Sequence, residues 1–204
     1  MSAMNQFPRC SACPSAPPVR MTGFTLVELM VVISLIAILV AVGIPSFRSI
    51  TISYRISGEI NGLLGDMQFA RAEAIKEGQA VTICASTTST AASPTCGGTD
   101  WDKGWIAFPD PNLNQTPVDP STVLRVQAPF SGTDTLSDGT TGYVTFNREG
   151  LVNGLNGGAG ALLALHEQSQ SVTYTRCLQV SSVGALQVVQ PAASNVPNSL
   201  ADCT

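Results

Sequence analysis

Residues 24–44, FTLVELMVVISLIAILVAVGI, are apolar except for Thr25, Glu28 and Ser34, and this run constrains the chain more than any other feature. At about 1.5 Å rise per residue a helix of that length reaches roughly 30 Å, the hydrocarbon thickness of a bilayer. One membrane-spanning helix is expected. Residues 1–23 before it are polar and rich in Pro and Ser, with no periodicity and no apolar face, so they read as an unstructured leader. Their two charges, Arg9 and Arg20, favour retention on the cytoplasmic side, which sends everything after Pro45 across the membrane.

Glu28 is the anomaly in this run. A carboxylate five residues into an apolar helix is expensive in hydrocarbon and asks for a cation. Two other readings exist. The carboxylate can sit near the headgroups and snorkel or protonate there, or the segment can be an ordinary cleaved signal peptide, with Ala41-Val42-Gly43 as its small-x-small site and a soluble exported domain as its product. Against the second stand the long polar stretch ahead of the run, the run's length, and the acidic residue inside it.

The segment Gly23-Phe24-Thr25-Leu26-Val27-Glu28-Leu29 resembles the class III leader of type IV pilins and type II secretion pseudopilins. The resemblance implies cleavage after Gly23 by a prepilin peptidase, N-methylation of the new amino terminus at Phe24, and a docking role for Phe24 and Glu28 in filament assembly. In that role Glu28 meets an N-terminal amine, which is the cation its burial calls for, since two opposite charges offset one another in low dielectric better than either stands alone. By the same resemblance Gly43 and Pro45 lie where pilin helices lose regularity. Proline removes a helix donor, which allows a bend near the membrane surface.

After Pro45 the residues Ile56, Ile60, Leu63, Met67, Ala70 and Ala74 recur at spacings of four and three, with Arg55, Glu59, Asp66, Arg71, Glu73 and Lys76 largely elsewhere. This is the stripe of an amphipathic helix over residues 45–78, with Gly78 as terminator, its apolar side covering a sheet and its charged side solvated. Met67 in such a stripe reads as core packing. Beyond it, short β-rich runs at residues 80–84, 105–108, 122–126, 142–146, 161–165, 172–177 and 185–189 are separated by Gly, Pro, Asn and Asp. Seven such runs after one helix predict an α+β domain over residues 79–204, with antiparallel sheet packed on the helix. Residues 46–204 show no clean linker and suffice for one core.

Four cysteines follow the leader, Cys84, Cys96, Cys177 and Cys203, and four admit three complete pairings. We favour Cys84 with Cys96, closing the Ser- and Thr-rich stretch between them, and Cys177 with Cys203, tying the carboxyl-terminal tail to a strand. Each closure contributes about 3 kcal/mol by the chain-entropy estimate. The C-x-x-C spacing of Cys10 and Cys13 falls in the leader, and with a single histidine in the chain no metal site and no cofactor are expected.

The stretch from Cys96-Gly97-Gly98 to Trp105-Ile106-Ala107-Phe108 reads as a turn entering a strand whose Trp105 and Phe108 fill the core. It is also similar to the corresponding segment of the GspH and FimT/FimU minor-pilin family. Phe69-Ala70-Arg71-Ala72-Glu73-Ala74, Phe146-Asn147-Arg148-Glu149-Gly150 and the terminal strands around Arg176 carry the same likeness. Together they imply a type IV pilin-like fold and a minor pilin that initiates or caps a filament. Its partners would be other minor and major pilins, the prepilin peptidase, the inner-membrane assembly platform and membrane lipid. Its location would be the inner membrane with the carboxyl-terminal domain in the periplasm. A type II secretion pseudopilin is the nearest rival.

His166-Glu167 lacks a partnered nucleophile, and the glycines of residues 154–160 lack the Gly-Lys-Ser/Thr ending of a phosphate loop, so no enzymatic activity is expected. Some FimT-like relatives bind DNA, but here the charge is wrong. The chain carries −4, and loss of the leader removes Arg9 and Arg20 and no acid, leaving eight basic against fourteen acidic residues, or −6. A nucleic-acid partner would meet net repulsion.

Overall fold

The computed structural model describes residues 23–137, 142–153, 161–168 and 173–190. Arg9, Arg20, Cys10 and Cys13 of the leader, the glycine-rich stretch 154–160 and Cys203 lie outside them. Two compact units divide the chain, Met1–Pro45 and Ser46–Thr204. Helix α1 (Leu26–Glu77) contributes to both, and its helical assignment passes through Gly43 and Pro45 without interruption. It stops where Gly78 takes φ +66°, a left-handed conformation that glycine adopts without a Cβ penalty. Lys76 in the last turn is solvated and pairs with Glu77 at 3.1 Å and with the largely covered Glu73 at 3.0 Å.

In the first unit the helix presents apolar surface all round. Every large apolar side chain among residues 24–44 is between 44 and 83 % exposed among the described residues. The segment is long and apolar enough to cross a membrane.

In the second unit nine strands among the described residues form the expected antiparallel sheet structure, divided into two sheets. They are β1 (Val81–Ala85), β2 (Trp105–Pro109), β3 (Arg125–Gln127), β4 (Thr135–Ser137), β5 (Tyr143–Phe146), β6 (Val152–Asn153), β7 (Ala161–His166), β8 (Arg176–Val180) and β9 (Leu186–Val189). One sheet runs β3-β2-β1-β5-β6 and the other β4-β7-β8-β9. All six predicted stripe residues, Ile56 to Ala74, are at most 1 % exposed and share one core with both sheets. Alternation selects the rest of that core. Val81, Ile83 and Ala85 enter it from β1, Trp105 and Ala107 from β2, Val144 and Phe146 from β5, Leu163 and Leu165 from β7, and Leu178 and Val180 from β8.

The opposite face of β1 is buried too, which makes β1 a central strand covered on both sides. There Cys84, Ile106 and Phe108 pack with Cys96, Val123 and Tyr143, so Phe108 fills this smaller cluster and not the main core. Beside it Thr82 donates to Asp110 at 2.8 Å and lies 2.7 Å from Thr145 across the ladder. Asp110, 1 % exposed, also accepts from the backbone N–H groups of Asn114 and Gln115, both at 3.0 Å. One buried carboxylate thus fixes the loop in which Leu113 and Gln115 both adopt φ 55°.

Two strand expectations need correction, and two strands were missed. The run at 172–177 is displaced: Thr173 and Tyr174 form a turn and β8 starts at Arg176. The run at 122–126 begins as a 3-10 turn over Pro120–Thr122, with β3 only at Arg125–Gln127. Strands β4 and β6 were not anticipated, because three and two residues are too few to show a period of two.

Leu63→Ala should destabilise the domain by about 2–5 kcal/mol, whereas Gly65→Ala on the open face of α1, whose new Cβ would meet nothing within 4 Å, should be neutral or stabilise by up to about 1 kcal/mol. Chemical denaturation of the two variants against wild type measures both.

Candidate assembly site

The amino terminus of α1 is built by a local rule. Thr25 is the last residue before the helix, its hydroxyl accepts from the Glu28 backbone N–H at 3.2 Å, and its carbonyl accepts from the Leu29 N–H at 3.2 Å. Thr25-Leu26-Val27-Glu28 therefore has the spacing of a capping box, which satisfies donors the first turn would leave unpaired. Glu28 stands in that first turn, where the helix dipole favours an anion. Gly23 and Phe24 lie outside the helix, and Phe24 is 83 % exposed. The structure thus brings Phe24 and Glu28 to one exposed end of an apolar helix, with the expected cleavage point Gly23 immediately before it.

Farther along α1, the separate sequence motifs converge. Arg71 donates to the carbonyl oxygens of Gly150 at 2.9 Å and Val183 at 3.3 Å, joining the Phe69–Ala74 and Phe146–Gly150 motifs and the turn before β9. Gly184, at φ +75°, sits so close that a Cβ there would fall 2.1 Å from the Gly150 carbonyl oxygen. Phe69 lies under the Arg125 guanidinium, 4.3 Å from ring centroid to carbon. Trp105 donates its indole N–H to Asp66 at 2.8 Å, so Asp66 is a helix-to-sheet link and not a solvated charge. These contacts hold the helix against the sheets on its polar flanks, where the apolar stripe gives no register. The Cys84–Cys96 disulfide is formed, with Cα atoms 5.6 Å apart. Cys177 is also disulfide-bonded. Its expected partner Cys203 lies outside the described residues.

A charged cluster flanks the same helix face. Arg55 forks onto both oxygens of Asp134 at 2.6 and 2.7 Å, and Asp134 is buried. Glu59, one turn on, faces this pair. Burial, with the Asp134 charge and a hydrogen bond to Asp134 adding to it, pushes the Glu59 carboxyl from its ordinary 4.5 up to about 7, against the opposing pull of Arg55. Among the described residues no three His, Cys, Asp or Glu side chains gather in a way that could hold a metal ion.

Comparison with known proteins bears on both parts of this arrangement. The family model described as Type II transport protein GspH matches residues 59–184. The chain belongs to the GspH family. A second model, the prokaryotic N-terminal methylation motif, matches residues 20–44 of this GspH-family chain. Among solved structures, the type IV minor pilin FimU of Pseudomonas aeruginosa is similar in two crystal forms. One has a TM-score of 0.51 at 20 % identity, covering 76 % of this chain and 98 % of FimU. The other scores 0.49 at 22 % identity, covering 72 % and 98 %. The first likeness confirms the type IV pilin-like α+β fold. No curated protein matches the chain.

Sequence reasoning missed the cap and the Glu59 cluster in this GspH-family member. The cap was legible as Thr-x-x-Glu before an apolar run. The cluster was not, because Asp134 is 75 positions from Glu59 and nothing local to either residue announces the other. The raised carboxyl has a measurable consequence. Glu59 ionises in the unfolded chain near 4.5 but in the folded protein near 7. Folding therefore holds its proton more tightly, and the stability this contributes is lost as pH rises across that window. Glu59→Gln, which keeps the shape and cannot ionise, should gain in unfolding temperature relative to wild type as pH goes from 4.5 to 8; melting curves along that series check it.

Proposed function

We propose that the chain is a minor pilin of a type IV pilus that takes part in initiating assembly at the filament tip. The carrying observation is the apolar half of α1: an exposed helix with a capped first turn, Glu28 in that turn, and a folded domain on the same helix. Such a surface must be covered by lipid before assembly and by other helices after it. The mechanism is assembly and not catalysis. A prepilin peptidase cuts after Gly23, the new terminus at Phe24 is methylated, and Glu28 pairs with an N-terminal amine during docking while the stripe from Ile56 to Ala74 anchors the domain. The protein would reside in the inner membrane with its domain in the periplasm, contacting other pilins and the assembly platform.

The second reading, a type II secretion minor pseudopilin, draws support from the description of the matching family as a type II transport protein. FimU, the structural relative, is a type IV minor pilin and supports the first. The two share every step above and differ in the neighbouring subunits.

Gly23→Glu should leave the leader uncut, and Glu28→Ala should be processed normally while incorporation into filaments falls about tenfold or more, because an N-terminal ammonium is left without its partner in low dielectric. Mature amino-terminal sequencing reads the first outcome and quantification of the chain in sheared filaments the second. Normal incorporation of both variants would sink the assignment. Mass spectrometry of crosslinked neighbours separates pilus from secretion filament.

A further inference from the structure

A cavity of about 430 Å³ opens on the second unit, between the face of α1 at Tyr54, Gly58 and Gly62 and the segment carrying Phe130 and Ser131. That volume is within the span of clefts that hold ligands, about 300–1,000 Å³. Gly58 and Gly62 shape it by omission, since a Cβ at either would meet nothing within 4 Å. Its walls are aromatic. Trp105 and Phe130 stand edge to face with centroids 5.9 Å apart, and Tyr54, 75 % exposed, closes the outer side.

The charges at this cavity are unequal. Arg55 is engaged by both oxygens of Asp134. Glu59 also lines the cavity; beyond the hydrogen bond that its carboxyl makes to Asp134, its buried Oε2 finds no hydrogen-bond partner among the described residues. With both carboxylates ionised the three groups sum to one negative charge. An anion would find no free basic group among the lining residues, and an apolar occupant would leave the Glu59 oxygen unsatisfied at a cost. A cation answers both features, because a carboxylate offers it a charge-assisted hydrogen bond and aromatic faces attract it through their quadrupoles.

We propose that this groove receives a lysine or arginine side chain of a neighbouring filament subunit, its head at Glu59 and its stem over Gly58 and Gly62 against Tyr54, Trp105 and Phe130. A long basic side chain suits the shape, since its methylene stem covers apolar surface while the head reaches the carboxylate. Arrival of the cation would return Glu59 toward the ionised form, exchanging the proton through which it bonds Asp134 for a charged partner at Oε2. The inference rests on the filament-subunit reading given above.

The test uses the full-length chain in its own cells, with a photoreactive benzoylphenylalanine at the exposed rim residue Ser131 and, as control, at Leu39 in the apolar helix. The expected adduct at Ser131 joins a filament subunit through a peptide containing Lys or Arg. Glu59→Lys should cut its yield about tenfold, and reversing the partner's basic residue to Glu should restore it to within about twofold, as for a desolvated charge pair. Gly62→Leu should abolish it by filling the groove, with an unfolding temperature no lower than wild type. Adducts that persist in Glu59→Lys and Gly62→Leu, adducts to peptides without a basic residue, or a charge reversal that fails to rescue would each overturn the proposal. Adducts at Leu39 without any at Ser131 overturn the groove and leave the filament reading standing; none at either position overturns both.

Discussion

The burial of Ile56, Ile60, Leu63, Met67, Ala70 and Ala74 between two sheets is the contact on which the rest of the second unit depends. Neither sheet has enough inward surface to close on itself, and both spend that surface on the same stripe. Because the residues are spaced at three and four, their side chains lie on one face, leaving the other sides of α1 for charged links and for partners. The stripe sets depth but tolerates sliding. Register comes from the directional contacts beside it: Arg71 to the Gly150 and Val183 carbonyls, Trp105 to Asp66, and the Arg55 fork on Asp134. Each links the helix to a different loop or strand.

One helix thus meets two environments. Among residues 24–44 it is apolar on every side and exposed among the described residues, a composition suited to lipid or to a bundle of like helices and to nothing aqueous. From Arg55 onward its charges are paired or held near the sheets, and three glycines, Gly58, Gly62 and Gly65, leave the surface low at a place where a soluble helix would ordinarily carry long polar side chains. Small residues on a helix surface permit close approach of another chain.

The long-period features of this fold were readable in the sequence. The apolar run, the Ile56–Ala74 stripe, the Gly78 stop and the Cys84–Cys96 bridge each depend on a local pattern or a short spacing, and each is found as expected. The sheets were less legible. The β-branched and aromatic residues at 172–175 mimic a strand, yet Thr173 and Tyr174 turn, because β8 is positioned by its pairing with β7 from Leu165–Arg176 onward and not by its own propensity. Strands β4 and β6 exist only through their partners β7 and β5. The Glu59 cluster joins positions far apart in the chain, which no single-sequence periodicity encodes.

The connection between α1 and β1 is three residues long, from Gly78 to Ala80, and β1 is hydrogen-bonded to β2 over five residues and to β5 over four. A pull along the helix that reached this connection would therefore enter the domain through a strand paired on both sides. Antiparallel neighbours on both sides load in shear, so the ladders must fail together and not one rung at a time. The Cys84–Cys96 bridge sits on that same strand and shortens the length of chain that could pay out if it slipped. A load passing from α1 into β1 would thus be received at the centre of the five-stranded sheet.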